Sequence, residues 1–296
     1  MKLSNLLPHL ALLFSMFVWS STFVGLKIAL SAYSPVEAMT GRMLAAAVVC
    51  LPLLPNIIRS FRDRNSRQIM LVSGICMPCL YFLFESNALR FTSSAQAGMV
   101  MALQPLAVAV AARIFLGESM PKLAWAGFAI ALTGVIWISL DAIATQSAPS
   151  PILGNGLELL AVLCATGYTL CIRRLTGKVS HFTQTGAMVF IGTIFFFTLN
   201  ILPIETETIT LENNFPSWLP LASIIYLGIV PTFAGYGLYS YGVMKLSAAK
   251  AASYNNCIPV MTLFMGVLML DEHITTEQYI AILLVISGII LSQIKK

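Results

Sequence analysis

The sequence predicts an all-α membrane protein of ten transmembrane helices, arranged as two inverted five-helix repeats. Of its 296 residues, 58% are hydrophobic and 10% are charged, whereas soluble domains have roughly 45 to 50% and about 25%. Uncharged apolar runs recur along the chain at lengths near the roughly 20 residues that a helix needs to cross a bilayer. The two halves also carry helix-breaking residues at a nearly constant spacing. Together these features exclude an ordinary soluble fold.

Ten apolar runs separated by charged or turn-rich breaks define the predicted spans. The first continues past Trp19 to Leu30 without a small-residue cleavage site, so it is interpreted as a retained span and not as a signal peptide. The fifth is the most clearly delimited, because Lys122 and Asp141 flank an uncharged segment. None of the runs alternates apolar and polar residues as a β-barrel strand would. In order, the predicted spans cover residues 8–30, 35–55, 67–88, 94–115, 121–141, 152–173, 181–202, 217–241, 248–269 and 275–294.

The positive charges predict the orientation of these spans. Of the 17 Lys and Arg residues, 14 fall in loops on the side shared by both termini, two (Lys27 and Arg90) fall on the other side, and Arg42 lies within a span. Because positively charged loops stay in the cytoplasm, both termini are predicted to be cytoplasmic, in a bacterial inner (plasma) membrane. The net charge of +5 is therefore a topology signal and does not indicate nucleic-acid binding.

An internal repeat divides the chain into residues 1–146 and residues 147–296. An offset of 154 residues superposes Gly74 on Gly228 and Pro105 on Pro259. Each half holds five spans, and an odd number means that the second half begins on the opposite side of the membrane. Inverted repeats are typical of secondary transporters, which open a central site alternately to each side.

Several short motifs carry a resemblance to a known family. They are WSSTF beginning at Trp19, the intramembrane Arg42, FLGE beginning at Phe115, and LDE beginning at Leu270. With these motifs the chain resembles the drug/metabolite transporter superfamily, EamA type. The resemblance implies ten helices in two five-helix halves and transport of small metabolites, amino acids or drugs, most often as export. The second half departs from the first at Ala187 and Cys164, where Arg42 and Trp19 have no counterparts, so any role of theirs is expected to be asymmetric.

Two prolines mark a candidate substrate site near the middle of the membrane. Pro105 and Pro259 fall inside predicted spans, where proline removes a backbone hydrogen bond and kinks the helix. Polar amides lie beside them. Because exposed backbone polarity is tolerated at this depth only in protein or in a wet cavity, the amides are predicted to face a substrate cavity; the alternative is a packed kink whose amides bond neighbouring helices. They belong to Gln104, Asn255 and Asn256.

Arg42 and Glu85 form a candidate gate or coupling pair near the outer surface. Their predicted depths differ by less than the length of an arginine side chain, so the two can meet. Charges at such depth cost about 2.5 to 3.5 kcal/mol unless they are paired or hydrated. One interpretation is that Arg42 binds a substrate carboxylate or phosphate while Glu85 exchanges a proton. The other is a structural salt bridge.

Aromatic residues cluster in spans 3 and 8 and predict a cavity wall. Tyr81 is favoured over Phe82 because it shares a helix face with Glu85, four residues away. An aromatic cavity with a few hydroxyls suits an amphipathic solute or an organic cation; lipid contact or helix packing is the alternative. The residues assigned to substrate binding are Trp19, Tyr81, Tyr168 and Tyr236, together with the three amides.

These features predict a secondary transporter that exports amino acids or related amphipathic solutes by alternating access. The alternatives are uptake or exchange of a nucleotide-like or multidrug substrate and, more remotely, an intramembrane enzyme. No nucleophile motif or phosphate loop is present, so we expect neither catalysis nor a cofactor or metal. The expected partners are a small-molecule substrate, the lipid bilayer and protons, with no nucleic acid, and a monomer is favoured over a homodimer.

Overall fold

A computed structural model describes residues 3–116, 122–141, 144–146, 148–202, 215–246, 251 and 253–270, and four isolated positions (280, 283, 284 and 287). Within these ranges the chain forms helices and no strand, apart from one isolated bridge between Thr145 and Ala148. The predicted all-α class is therefore confirmed.

Ten of the helices and turns belong to the first half of the chain. In order they are α1 (Leu3–Leu30), α2 (Pro35–Cys50), a 3₁₀ turn (Leu51–Leu53), α3 (Leu54–Ser60), α4 (Arg64–Gly74), a π-helical segment (Ile75–Leu80), α5 (Tyr81–Phe91), α6 (Ser94–Met101), α7 (Gln104–Leu116) and α8 (Lys122–Asp141).

The second half begins with the long helix α9 (Pro151–Leu175). It continues with α10 (His181–Ile201), α11 (Leu219–Leu227), a π-helical segment (Gly228–Gly235), α12 (Tyr236–Lys245), a 3₁₀ turn (Ser253–Asn256) and α13 (Cys257–Leu270).

Capping residues explain where several helices begin. Ser34, Asp63, Ser93 and Ser180 each accept a hydrogen bond from a backbone N–H in the first turn of the following helix. Such caps satisfy donors that have no partner within the helix. At Ser34 the cap is reciprocal, since Glu37 accepts a bond from the Ser34 backbone. This box fixes the start of α2, the helix that carries Arg42.

Seven helical segments in the described residues are long and apolar enough to cross a membrane. They match predicted spans 1 to 4 and 6 to 8. α8 and α13 correspond to the fifth and ninth, and the tenth, apart from the isolated positions, lies outside the described residues, so the number ten stays a prediction. The seven are Leu6–Leu30, Pro35–Ser60, Arg64–Phe91, Ser94–Phe115, Pro151–Leu175, His181–Ile201 and Leu219–Lys245.

The outside of the bundle is apolar. Large hydrophobic side chains such as Phe17, Val48 and Ile194 expose more than half of their surface. Soluble monomers rarely expose continuous patches of this kind, whereas lipid chains cover them without cost. The described surface therefore agrees with a membrane-embedded protein.

In the part of the chain that the structure describes, spans 3, 4 and 8 are interrupted where they face the interior. Span 3 breaks at the π-helical segment after α4, where Met77 has extended backbone angles. Span 8 breaks at the corresponding segment after α11, which contains Pro231. Span 4 breaks between α6 and α7, immediately before Pro105. Because irregular backbone at membrane depth must be received by protein or a cavity, these breaks locate the polar interior.

Two long helices organise this interior. α1 packs on α11, α12 and α13, and α9 packs on α4 to α7. α10 packs on α2. The largest core cluster joins buried side chains of nearly all these helices, including Phe23, Met39, Phe82 and Tyr168. The interrupted spans meet inside this cluster.

Candidate functional site

A small cavity lies where the interrupted spans meet. It has a volume of about 20 Å³, room for roughly one water molecule. Seven side chains assigned to the site from the sequence line it. They are Trp19, Arg42, Tyr81, Glu85, Gln104, Tyr168 and Tyr236. Thus residues from six predicted spans, far apart along the chain, converge on one point.

Arg42 and Glu85 are paired at the wall of this cavity. Nη1 of Arg42 lies 3.8 Å from Oε2 of Glu85, and the side chains are 1% and 3% exposed. Neither atom has a hydrogen-bond partner among the described residues. The two charges therefore attract each other while each keeps hydrogen-bonding capacity unused, and both are as deeply buried as a core residue.

Three other contacts hold Arg42. Its Nε donates a hydrogen bond to Oγ1 of Thr232 at 2.8 Å, and its guanidinium carbon lies 3.9 Å from the centre of the Phe82 ring. Its own backbone carbonyl lies against Gly228, where a Cβ atom would come within 2.4 Å of that oxygen. The break in span 8 therefore contacts Arg42 twice: Thr232 binds its side chain, and Gly228 lies against its backbone. Because Gly228 has no side chain, α2 can approach closely at this point.

Tyr81 supports Glu85 from one helical turn away. Its hydroxyl donates to Oε1 of Glu85 at 2.6 Å, as the spacing of four residues predicts. A hydrogen bond to an ionised acceptor is stronger than one between neutral groups. Glu85 is thus held by Tyr81 through one oxygen and attracted by Arg42 through the other.

Aromatic rings form the opposite wall. The Trp19 ring centre lies 4.7 Å from that of Tyr236 and 4.8 Å from that of Tyr239, within the range of favourable aromatic pairs. Tyr168 meets Tyr236 edge to face at 5.9 Å. The indole N–H of Trp19 donates to the carbonyl of Pro231 at 3.3 Å. The indole therefore satisfies a buried carbonyl at the break in span 8.

The two prolines differ in what surrounds them. Pro105 is the second residue of α7, directly after the break in span 4, and Gln104 beside it lines the cavity. Asn255 is fully buried and donates Nδ2 to Oε1 of Gln104 at 2.6 Å. The two amides therefore bond each other, as the packed alternative expects, while Gln104 also faces the cavity. Pro259 is the third residue of α13; the side chains of Pro259 and Asn256 lie outside the described part of the structure.

Some residues of the site carry no assignment from the sequence. Met77 lines the cavity because Pro78 breaks span 3. Neither residue is among the site residues predicted from the sequence. Thr232 orients Arg42. Glu158 is completely buried in α9, and neither of its carboxylate oxygens has a hydrogen-bond partner among the described residues. A lone acidic residue within an otherwise apolar span is the signal that points to Glu158.

Comparison with known proteins identifies the family. The model of the EamA-like transporter family matches residues 6–140 and 152–293. The chain belongs to the EamA-like transporter family. This confirms the resemblance to EamA-type members of the drug/metabolite transporter superfamily that the sequence motifs carry.

Individual EamA-like relatives are distant in sequence but similar over most of their length. A probable amino-acid metabolite efflux pump of Escherichia coli is 24% identical over 282 residues, which are 92% of this chain and 90% of the relative. A probable terminal-alkyne amino-acid exporter of Streptantibioticus cattleyicolor is 24% identical over 264 residues, 88% and 85% of the two chains. One solved crystal structure, at 18% identity, has a TM-score of 0.69 and covers 97% of this chain and 96% of its own. That structure shares the fold.

Membership of the EamA-like family makes the chain a transporter and a multi-pass membrane protein. It also confirms the expectation that the chain is not an enzyme. The cavity described above is then the natural candidate for the place where a solute binds.

Proposed function

We propose that the protein is a secondary carrier of a bacterial inner membrane that exports amino acids or related amphipathic solutes. Its ten spans form two inverted repeats, residues 1–146 and 147–296, with both termini in the cytoplasm. The solute binds in the central cavity, and rocking of the repeats opens that cavity to each side in turn. The two separate matches of the family model and the similar breaks after Gly74 and Gly228 support the repeat.

The observation that carries this proposal is the pairing of a buried cation and a buried anion with unused hydrogen-bonding atoms. An α-amino acid carries a carboxylate and an ammonium group on the same carbon atom. The carboxylate of the solute can accept a hydrogen bond from Nη1 of Arg42, and its ammonium group can donate one to Oε2 of Glu85. Two charge-assisted hydrogen bonds then replace one contact of 3.8 Å between these atoms. The structural salt bridge is then the resting form of the same pair.

The remaining walls suit the rest of such a solute. Trp19, Tyr168 and Tyr236 offer aromatic faces for an apolar side chain, and Gln104 offers an amide. The carboxylate of Glu85, which lines the same cavity, disfavours a polyanion such as a nucleotide, because like charges repel strongly in a low-dielectric interior. Two relatives named for amino-acid efflux or export support the same substrate class.

The size of the cavity supports alternating access. At about 20 Å³ it holds a water molecule and no amino acid. The walls must therefore separate before a solute enters, and the breaks in spans 3, 4 and 8 lie where such movement would occur.

Counterflow in proteoliposomes tests the function. Vesicles preloaded with the twenty standard L-amino acids, with parallel sets preloaded with nucleotides or tetraphenylphosphonium, are diluted into labelled solute of the same kind. We expect accumulation of labelled amino acids by the natural protein. We expect Arg42→Gln to lose it while Arg90→Gln, a change at a partly exposed arginine near the end of α5, retains it. Accumulation of nucleotides alone, or equal activity of both variants, would contradict the proposal.

A further inference from the structure

Glu158 is a buried carboxyl that the site described so far does not use. It lies seven residues from Pro151, the first residue of α9, which at 1.5 Å per residue is about 10 Å along the helix. Its side chain is 0% exposed, and both oxygens lack a hydrogen-bond partner in the described part of the chain. Ionisable groups inside membrane spans are costly and mark ion or proton pathways. An unsatisfied one therefore points to a ligand.

Glu158 belongs electrostatically with Glu85. The charge of Glu85 acts on Glu158, and Tyr81 interacts with both carboxyls. Glu85 lies six residues from Phe91, the last residue of α5, or about 9 Å along that helix. α5 and α9 pack against each other, so the two carboxyls lie at matching depths on facing helices.

The charges around this pair are few. Arg42 on α2 interacts with Glu85 and with Tyr236. α6 contains no charged residue. Apart from Glu85, the charged residues on the other helices that pack on α9 lie near helix ends. They are Arg64 and Arg67 of α4, Arg90 of α5, Arg113 of α7, Lys122 and Asp141 of α8, and Lys245 of α12. The further titratable groups on these elements are Cys76 and Cys79 of the π-helical segment and Tyr236, Tyr239 and Tyr241 of α12. Arg42 is the cation that acts on Glu85 among the described residues. A single proton shared by the two carboxyls then leaves these three groups without net charge, as a low-dielectric interior favours.

A file of polar side chains leads from Glu158 toward the outer ends of the helices. Asn155 is three residues before Glu158 and so shares its helix face. Asn155 donates Nδ2 to Oε1 of Gln96 at 3.0 Å, and Oγ1 of Thr92 donates to Oδ1 of Asn155 at 2.7 Å. Thr92 follows the last residue of α5, and Gln96 is in the first turn of α6. These hydroxyl and amide groups can hold water molecules in a row when the helices move apart, and the proton then passes along the hydrogen-bonded waters while the amides only hold them in place.

We propose that Glu85 and Glu158 together hold one exchangeable proton, loaded from the outer face along Thr92, Gln96 and Asn155, and that this proton couples solute movement to the proton gradient. The proposal rests on the proposed function. The step transfers a proton from outer water to a carboxyl oxygen and later from that oxygen to water on the cytoplasmic side. No other bond changes and no redox partner is needed.

Proteoliposomes that contain the pH dye pyranine and carbon-14 labelled amino acids test the proposal. Proton movement driven by the amino-acid mixture is measured beside counterflow without a pH gradient. For Glu158→Gln we expect the amino-acid-linked proton movement to be lost and counterflow to continue, because glutamine mimics the protonated carboxyl. Glu158→Asp, which keeps a carboxyl, should retain proton movement. Glu37→Gln, at an exposed carboxylate of the same face, should behave as the natural protein.

Different results overturn different claims. Proton movement of natural size in Glu158→Gln, sodium-dependent movement in place of proton movement, or counterflow by the natural protein without any proton movement would overturn this inference and leave the proposed function standing. Absence of amino-acid counterflow in the natural protein would overturn both. If Glu158→Gln does not fold, Gln96→Leu serves instead: it should slow proton movement and keep counterflow, and an unchanged proton rate would contradict the pathway.

Discussion

Replacing Glu85 alone should destabilise the protein strongly, because it leaves the charge of Arg42 buried without its partner. At 3.8 Å the attraction of two unit charges is about 4 kcal/mol for an effective dielectric constant near 20. Breaking a buried pair by removing one partner costs about 3 to 5 kcal/mol, because the other charge stays buried without compensation. We therefore expect Glu85→Gln to lower the free energy of unfolding by an amount in this range.

The double variant Arg42→Met with Glu85→Gln isolates the interaction. Arg42→Met alone loses the charge attraction, the hydrogen bond to Thr232 and the contact with Phe82. The double variant leaves no unpaired charge, so its destabilisation should be smaller than the sum of the two single effects by about 3 kcal/mol. Unfolding in mixed micelles by titrated sodium dodecyl sulfate, followed by tryptophan fluorescence, measures each free energy.

Glu37→Gln provides the control for the glutamate substitution. Glu37 is exposed at the start of α2, and glutamine can keep the capping hydrogen bond. Its effect should be close to zero. If the effects of Arg42→Met and Glu85→Gln were simply additive, the two charges would not interact, and the assignment of the pair as one unit would be wrong.

Three further changes probe the walls of the cavity by the same unfolding assay. Gly228→Ala should destabilise the protein by about 1 to 3 kcal/mol, the usual cost of overpacking, because the new Cβ meets the backbone of Arg42. The control Gly156→Ala, whose new Cβ has nothing within 4 Å, should be neutral or stabilising. Equal effects of the two variants would argue against the close approach of α2. Trp19→Phe keeps the aromatic ring but removes the donor to Pro231, so a loss of about 1 kcal/mol is expected, and no loss would mean that this bond contributes nothing. Asn255→Leu leaves Oε1 of Gln104 without that donor, which should cost about 1 to 3 kcal/mol; a stabilised variant would contradict the bond.

Local spacing was sufficient to predict part of the site. Tyr81 and Glu85 are four residues apart, and the helix brings them into hydrogen-bond contact as expected. Depth along predicted helices was enough to suggest that Arg42 and Glu85 could meet, because both are counted from the same membrane surface. Such inferences work where one helix, or one surface, fixes the relative position of two residues.

Contacts between helices from distant parts of the chain were beyond sequence reasoning. That Thr232 orients Arg42 and that Trp19 binds the Pro231 carbonyl depend on how α1 and α2 pack against span 8. The breaks in spans 3 and 8 are different, because the sequence contains their signal. Pro78 and Pro231 also fall inside predicted spans, so the rule that predicts a kink at Pro105 predicts these breaks as well. A lone carboxyl in an apolar span indicates a functional residue, but the neighbours of Glu158 on α5 depend on how α5 and α9 pack.

The closed cavity should open to each side of the membrane in turn, and cysteine accessibility at Ala165 measures this opening. Ala165 lines the cavity and Ala46 lies in a core cluster away from it, and both are 0% exposed. Each is changed to cysteine in a chain whose six native cysteines are replaced, and membrane-impermeant methanethiosulfonate is applied to right-side-out and inside-out vesicles during amino-acid exchange. We expect Ala165→Cys to react from both sides, more slowly when amino acids are saturating, and Ala46→Cys to stay unreactive. Ala165→Cys that is as unreactive as Ala46→Cys, or that reacts from one side alone, would contradict the claim.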